Sequence, residues 1–193
     1  MNYPNGIKKV NNTNPITKET SYKNRGMTLE ADINLSNEYY RDIDKAYIYK
    51  KPTPIKITKV DYPSRDKATI KEAFFTVPST TDYNGIYKGK YIDFEAKETK
   101  SKTSFALNNI HPHQIKHIEN INNNQGIAFL IVRFTSLSET YLLPAKQFLN
   151  FINTEKRKSI PREFFQTNAY LIKDNYNPRL DYLKIVDDII GGI

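Results

Sequence analysis

The chain's 193 residues are enough for one domain with a real core, and no run of apolar residues approaches the length of a membrane span. It carries 29 Lys and Arg against 21 Asp and Glu, a formal net charge of +8 with a pI of about 9.4, which makes nucleic acid a candidate partner, although a solvated charge excess reads the same way. The absence of cysteine excludes disulfides, Fe–S clusters and Cys-rich zinc sites, and the polar N-terminus has no signal-peptide core, so a reducing cytoplasm is the expected location.

Residues 1–24 are rich in Asn, Lys, Thr and Pro and read as a flexible basic arm, with Arg25 just beyond it. The remainder, 25–193, reads as a single domain. A helix is predicted from Thr28 to about Asp44, with Leu29, Ile33 and Tyr40 at helical spacing. After Lys45–Lys51 and the Pro52-Thr53-Pro54 break come two strand candidates, 55–60 and 68–75, around a turn-like 62–66. Between 50 and 71, seven cations (Lys50, Lys51, Lys56, Lys59, Arg65, Lys67, Lys71) face two acids (Asp61, Asp66). Such a hairpin is a poor core and a good phosphate contact, or else an edge hairpin kept soluble by Lys.

The segment from Ser79 to Thr99 carries the chemistry. Lys88-Gly89 reads as a two-residue hairpin turn, and counting outward from it sets Asp82 opposite Glu95. Cross-strand partners have Cβ atoms roughly 4.5–5.5 Å apart, where like charges repel and a divalent cation would turn repulsion into binding. Tyr91, Asp93, Glu95 and Lys97 alternate with Ile92, Phe94 and Ala96, giving one charged and one apolar face. Two readings remain open at this level. Asn84-Gly85 is a rival turn that would break the Asp82–Glu95 pairing, and the charges could be those of an ordinary exposed hairpin.

Further along, Pro112 suits the first position of a helix with Ile115, Ile118 and Ile121 on one face, Gln114 in its first turn and Gly126 at its end. Ile127–Phe134 is an almost continuous apolar run typical of a central strand, 141–143 is another strand, and Pro144 opens a helix through Phe151. Lys156-Arg157-Lys158 forms a second basic loop, and Leu180, Leu183, Val186 and Ile190 mark a C-terminal amphipathic helix. The order of elements implies an α/β sandwich around a mixed sheet. His111, His113 and His117 cluster, but a zinc site needs a third or fourth ligand, so cap, surface or phosphate-contact roles are preferred.

Asp82, Glu95 and Lys97 have the form of the PD-(D/E)xK nuclease motif. Taken in order, 1–6, 24–30, Lys50–Pro54, Ser79–Thr99, 103–105, His113-Gln114 and 178–184 resemble the RecU family of Holliday-junction resolvases along nearly the whole chain. The resemblance implies a restriction-endonuclease-like mixed sheet flanked by helices, with a basic β-hairpin stalk (about 50–76) inserted. It implies that Thr80, Asp82, Glu95 and Gln114 bind Mg²⁺, with Mn²⁺ as a substitute, and that Lys97 stabilises the transition state. Glu30 would be a further catalytic carboxylate, or else an ordinary Glu favoured by a helix N-terminus. Arg25, Lys50, Lys56, Lys59, Arg65 and Lys67 would contact DNA.

The activity so implied is a Mg²⁺-dependent endonuclease acting in recombination and repair. A homodimer would resolve four-way junctions by paired symmetric nicks, in concert with RecA recombinase and branch-migration proteins. Two other readings are a related nuclease on duplex or damaged DNA, and a non-catalytic junction binder. The binder has no need of Asp82, Glu95 and Lys97 together.

Overall fold

The computed structural model describes residues 28–76 and 80–191. The basic arm, Arg25 and Ser79 lie outside the described residues. Helix α1 spans Leu29–Asp42; Thr28 caps it by accepting from Ala31 N at 3.2 Å, and Glu30 and Asp32 occupy its first turn. The strands that follow are β1 (Tyr47–Lys50), β2 (Ile55–Asp61), β3 (Thr69–Phe75), β4 (Tyr83–Tyr87), β5 (Lys90–Thr99) and β6 (Ser104–Ala106). Then come α2 (Pro112–Asn123), β7 (Ile127–Phe134), β8 (Glu139–Pro144), α3 (Ala145–Thr154), β9 (Ser159–Pro161), α4 (Arg162–Asn168), β10 (Tyr170–Ile172) and α5 (Tyr182–Gly191).

Six strands form one sheet in the order β1-β4-β5-β7-β8-β10. Only β5 and β7 run parallel, so the chain needs a crossover between them, and α2 supplies it. The centre of the sheet is covered on both faces. Leu29, Ile33 and Tyr40 of α1 and Tyr182, Leu183 and Val186 of α5 pack on Ile92, Phe94 and Phe129. Ile118, Phe148 and Phe165, from α2, α3 and α4, pack on Leu130, Val132 and Phe134. Strand β7 is buried at every position, Arg133 included, as its almost continuous apolar run predicts. The expected mixed sheet flanked by helices is therefore the architecture of the described residues.

The turn between β4 and β5 is the one at Lys88-Gly89. Both residues have positive φ (49° and 72°), the mark of a turn whose twist suits the strands it joins. Tyr87 pairs with Lys90 and Tyr83 with Phe94. The rival turn at Asn84-Gly85 is absent, and Gly85 lies inside β4 for a different reason. A Cβ there would stand 2.2 Å from the Tyr47 carbonyl oxygen and 2.5 Å from Ile48 Cα of the neighbouring β1. At the end of α2 the left-handed position falls on Gln125 (φ 63°) rather than on Gly126. Gly126 instead makes room for Ile121, whose Cγ2 would sit 2.6 Å from an added Cβ.

Strands β2 and β3 form a separate two-stranded hairpin in which every residue is exposed. Its base is closed by Thr76 N donating to the Pro54 carbonyl at 3.0 Å. The hairpin is basic as predicted, but it also exposes Ile55, Ile57, Val60, Ile70, Phe74 and Phe75, the last at 83%.

Gly85→Ala should push β1 off the sheet edge and cost about 1–3 kcal/mol, the range for overpacking a filled site. Urea unfolding with hydrogen exchange on β1 amides checks this. Unchanged stability would mean that β1 yields without cost.

Candidate active site

The register set by the Lys88-Gly89 turn carries Asp82, just before β4, to the level of Glu95 on β5. The two are linked through the main chain. Asp82 N donates to Glu95 Oε2 at 3.1 Å, and Ala96 N donates to Asp82 Oδ2 at 3.3 Å. Lys97, two residues beyond Glu95 on the same face, donates to Glu95 Oε1 and lies 3.8 Å from Asp82 Oδ2. Sequence pattern and structure agree that these three share one place.

The charged face of β5 is not the solvated face of an ordinary hairpin, because α2 covers it. Glu95 and Asp93 are fully buried, while Asp82 and Lys97 open to an exposed cleft. Burial pushes the Glu95 carboxyl up to about 7; the Asp82 charge adds to the rise, and Lys97 opposes it. The cleft, of about 450 Å³, is lined by Glu30, Asp82, Tyr83, Lys97 and Glu98 among others.

Glu30 thus stands on the cleft wall, exposed in the first turn of α1, and Lys50 donates to its Oε1 at 2.5 Å. The residue expected to contact DNA and the residue expected to assist catalysis are partners of one another. Thr80 lies on the loop leading into β4, its hydroxyl 3.5 Å from the Thr81 carbonyl. Gln114 is brought to Glu95, but by its nitrogen, which donates to Glu95 Oε1 at 2.6 Å. Its oxygen accepts from His111 N at 2.9 Å and caps α2. In this arrangement Gln114 orients Glu95, and it would have to present its oxygen to ligate an ion. Lys56, Lys59, Arg65 and Lys67 are all exposed on the hairpin or its tip.

The donor set suits a hard divalent cation: two carboxylates facing one another, with a hydroxyl nearby and no thiolate. Among the described residues no group of three His, Cys, Asp or Glu side chains gathers as a metal cage. That leaves water to complete the coordination, which is the habit of Mg²⁺. The zinc reading of the histidines gains no support from this arrangement.

Sequence reasoning missed the polar groups beneath the cleft. Asp32 is buried and takes Arg133 Nη2 at 2.7 Å and Arg179 Nε at 3.0 Å, tying α1 to β7 and to the segment before α5. Asp93 has a set of partners of its own. Its place on the Glu95 face was visible in the alternation, but nothing in the chain marked that face as covered.

A family model described as Recombination protein U matches residues 24–188. A Holliday junction resolvase RecU of Oceanobacillus iheyensis is 53% identical over 194 residues, covering 98% of this chain and 99% of the relative. That of Staphylococcus carnosus is 54% identical over 200 residues, covering 98% and 96%. A solved structure of the Holliday junction resolvase Hjc of Archaeoglobus fulgidus overlaps with a TM-score of 0.38 at 10% identity, covering 67% of this chain and 90% of that one, a likeness too distant to carry anything over.

Because Glu95 must lose its proton to bind a cation, divalent-ion affinity should fall about tenfold per pH unit below 7 and level off above it. Calorimetric titration of Mn²⁺ without DNA, between pH 5.5 and 8.5, measures this. An affinity flat across that range would mean that no Glu95 proton competes with the ion there, and that its carboxyl is not raised toward 7.

Proposed function

The chain belongs to the RecU family, and we propose that it is a structure-selective endonuclease that resolves four-way DNA junctions by paired, symmetric nicks in recombination and repair. The observation that carries the reading is the convergence of Asp82, Glu95 and Lys97 on one cleft. A protein that only binds junctions has no use for a fully buried carboxylate held against a second one.

In this reading Asp82 and Glu95 would hold Mg²⁺, for which Mn²⁺ would substitute, with Thr80 and, after turning its amide, Gln114 as further oxygen donors. When bound, the ion supplies Lewis-acid polarisation of the phosphate and an activated water nucleophile. The chain's own groups do the rest. Before the ion enters, Gln114 and the Asp82 main chain hold both oxygens of Glu95, so its carboxylate does not wander. Lys97, partly exposed at the cleft, offers a compact positive charge to the phosphoryl oxygens as charge builds on them. Glu30 and Lys50 form an exposed pair that a phosphate can open, freeing Lys50 to meet the backbone.

Junction shape is read by the hairpin and by the basic arm at 1–24, with Arg25 beside it, while 25–193 works as one nuclease domain. Two cuts per junction call for two sites, hence a homodimer. The outer face of β1 and β4, where Tyr47, Tyr49 and Ile86 are exposed, offers an apolar surface for the second copy. RecA recombinase and branch-migration proteins are the further partners of this reading. No helix among the described residues is long and apolar enough to cross a membrane.

Purified protein with a mobile four-way junction, or with linear duplex of the same sequence, tests the reading. Paired nicks are expected on the junction alone, with Mg²⁺ and not with EDTA. Asp82→Ala and Lys97→Ala should each lower the single-turnover rate at least about a hundredfold, the scale of a lost charge-stabilising group. Junction affinity in EDTA should stay within about threefold. Comparable cutting by Lys97→Ala would remove its role.

Replacing Lys56, Lys59, Arg65 and Lys67 together by Ala should instead weaken junction binding and flatten its salt dependence by a few ion equivalents. An unchanged junction-to-duplex ratio would take the hairpin out of recognition.

A further inference from the structure

The Glu95 face of β5 buries a second carboxylate, Asp93, which has no part in the chemistry above. Four side chains converge on it. Its Oδ1 accepts from the Thr81 hydroxyl. Its Oδ2 accepts from Lys51 Nζ at 2.7 Å and from the Tyr91 hydroxyl at 2.9 Å. His117 Nε2 of α2 stands 3.2 Å from the same oxygen, off the line of a hydrogen bond. Lys51 Nζ also donates to Thr81 Oγ1 at 3.0 Å, closing a triangle.

Two of these contacts lead straight to the cleft. Thr81 lies between Thr80 and Asp82, and Lys51 N donates to the Asp82 carbonyl at 2.8 Å. On the other side, His117 is one turn along α2 from Gln114. The helix therefore meets β5 at two rungs, Gln114 on Glu95 and His117 on Asp93. Asp93 touches both walls that close on Glu95, the loop carrying Asp82 and the helix carrying Gln114. A buried ion pair is a poor device for stability alone, since apolar replacements are often as good. It is a good device for fixing where its partners stand.

We infer that Asp93 is a positioning residue: its carboxylate holds Thr81, Lys51 and α2 so that Asp82 and Glu95 converge on one divalent cation. The inference rests on the resolvase reading, in which that pair binds the ion. Outer partners of metal ligands typically alter ion affinity ten- to a hundredfold when removed.

The test uses the full chain, with ion binding read in the absence of DNA. Mn²⁺ affinity is measured by calorimetry for the wild type, Glu95→Gln, Asp93→Asn, Thr81→Val and Thr81→Ser, beside junction affinity in EDTA and the single-turnover cleavage rate. Asp93→Asn and Thr81→Val should each weaken Mn²⁺ binding about tenfold or more and slow cleavage in proportion, with junction affinity within twofold. Thr81→Ser, which keeps the hydroxyl, should recover most of the ion affinity. Folding is followed by circular dichroism, and if Asp93→Asn does not fold, the Thr81 pair alone decides.

Wild-type ion affinity in a folded Asp93→Asn, or in Thr81→Val, overturns the inference and leaves the resolvase reading standing, provided Glu95→Gln abolishes binding. Parallel loss of ion and junction affinity makes Asp93 a general structural residue and also overturns it. A wild type that binds no Mn²⁺ overturns both.

Discussion

The register of the β4–β5 hairpin is the constraint on which the site depends. Side chains alternate along a strand, so a slip of one residue would turn Glu95 and Lys97 to the opposite face and leave Asp82 facing an alanine or a phenylalanine. Lys88 and Gly89 fix that register locally with two positive φ angles. β7, buried at every position, fixes it again from the other side, since Glu95 pairs with Leu130 and Lys97 with Val132 in a parallel ladder. Neither device involves a functional side chain, which is why the functional ones can be polar and badly solvated without the strand moving.

A second constraint follows from the first. A central strand in a two-faced sheet buries both of its faces, and here one of them carries Asp93 and Glu95. An unpaired buried carboxylate is costly, so each must gather partners. Glu95 collects Lys97, Gln114 and the Asp82 main chain; Asp93 collects Thr81, Lys51 and Tyr91. Even so, Glu95 holds its proton up to about pH 7. A cation entering beside Asp82 would relieve the same cost, so the energetics of burial and those of ion binding point to one position.

Much of this was legible in the chain because local chemistry dictated it. Gly after Lys at a strand break names a turn, an apolar run broken only by Arg133 names a central strand, and Leu29, Ile33 and Tyr40 at helical spacing name a helix. What was hidden depends on contacts distant in sequence. Tyr47–Lys50 is a four-residue edge strand with a single buried residue, too short for periodicity to show. β6, β9 and β10 span three residues each and exist because they pair or pack, not because their sequences insist on it. The Gln114 amide could be placed beside a metal from its helix position, but which end of the amide faces Glu95 is set by His111 N, three residues back on the cap. The charged face of β5 looked solvated for the same reason: only the crossover that parallel strands require brings α2 over it.

The hairpin β2–β3 shows how a segment with no core of its own is still held in a defined place. All of its residues are exposed, and its apolar ones face water. Its attachment lies at the base, where Thr76 bonds Pro54 and where Lys51, on the segment leading in, bonds the Asp82 carbonyl on the way out. Lys51 then reaches down to Asp93. The chain that supports the hairpin is therefore the chain that supports Asp82, so the two cannot be moved independently. In the resolvase reading, a hairpin that meets the branched substrate and a carboxylate that holds the ion gain from sharing one anchor, because the distance between recognition and chemistry is then set by the main chain rather than by flexible side chains.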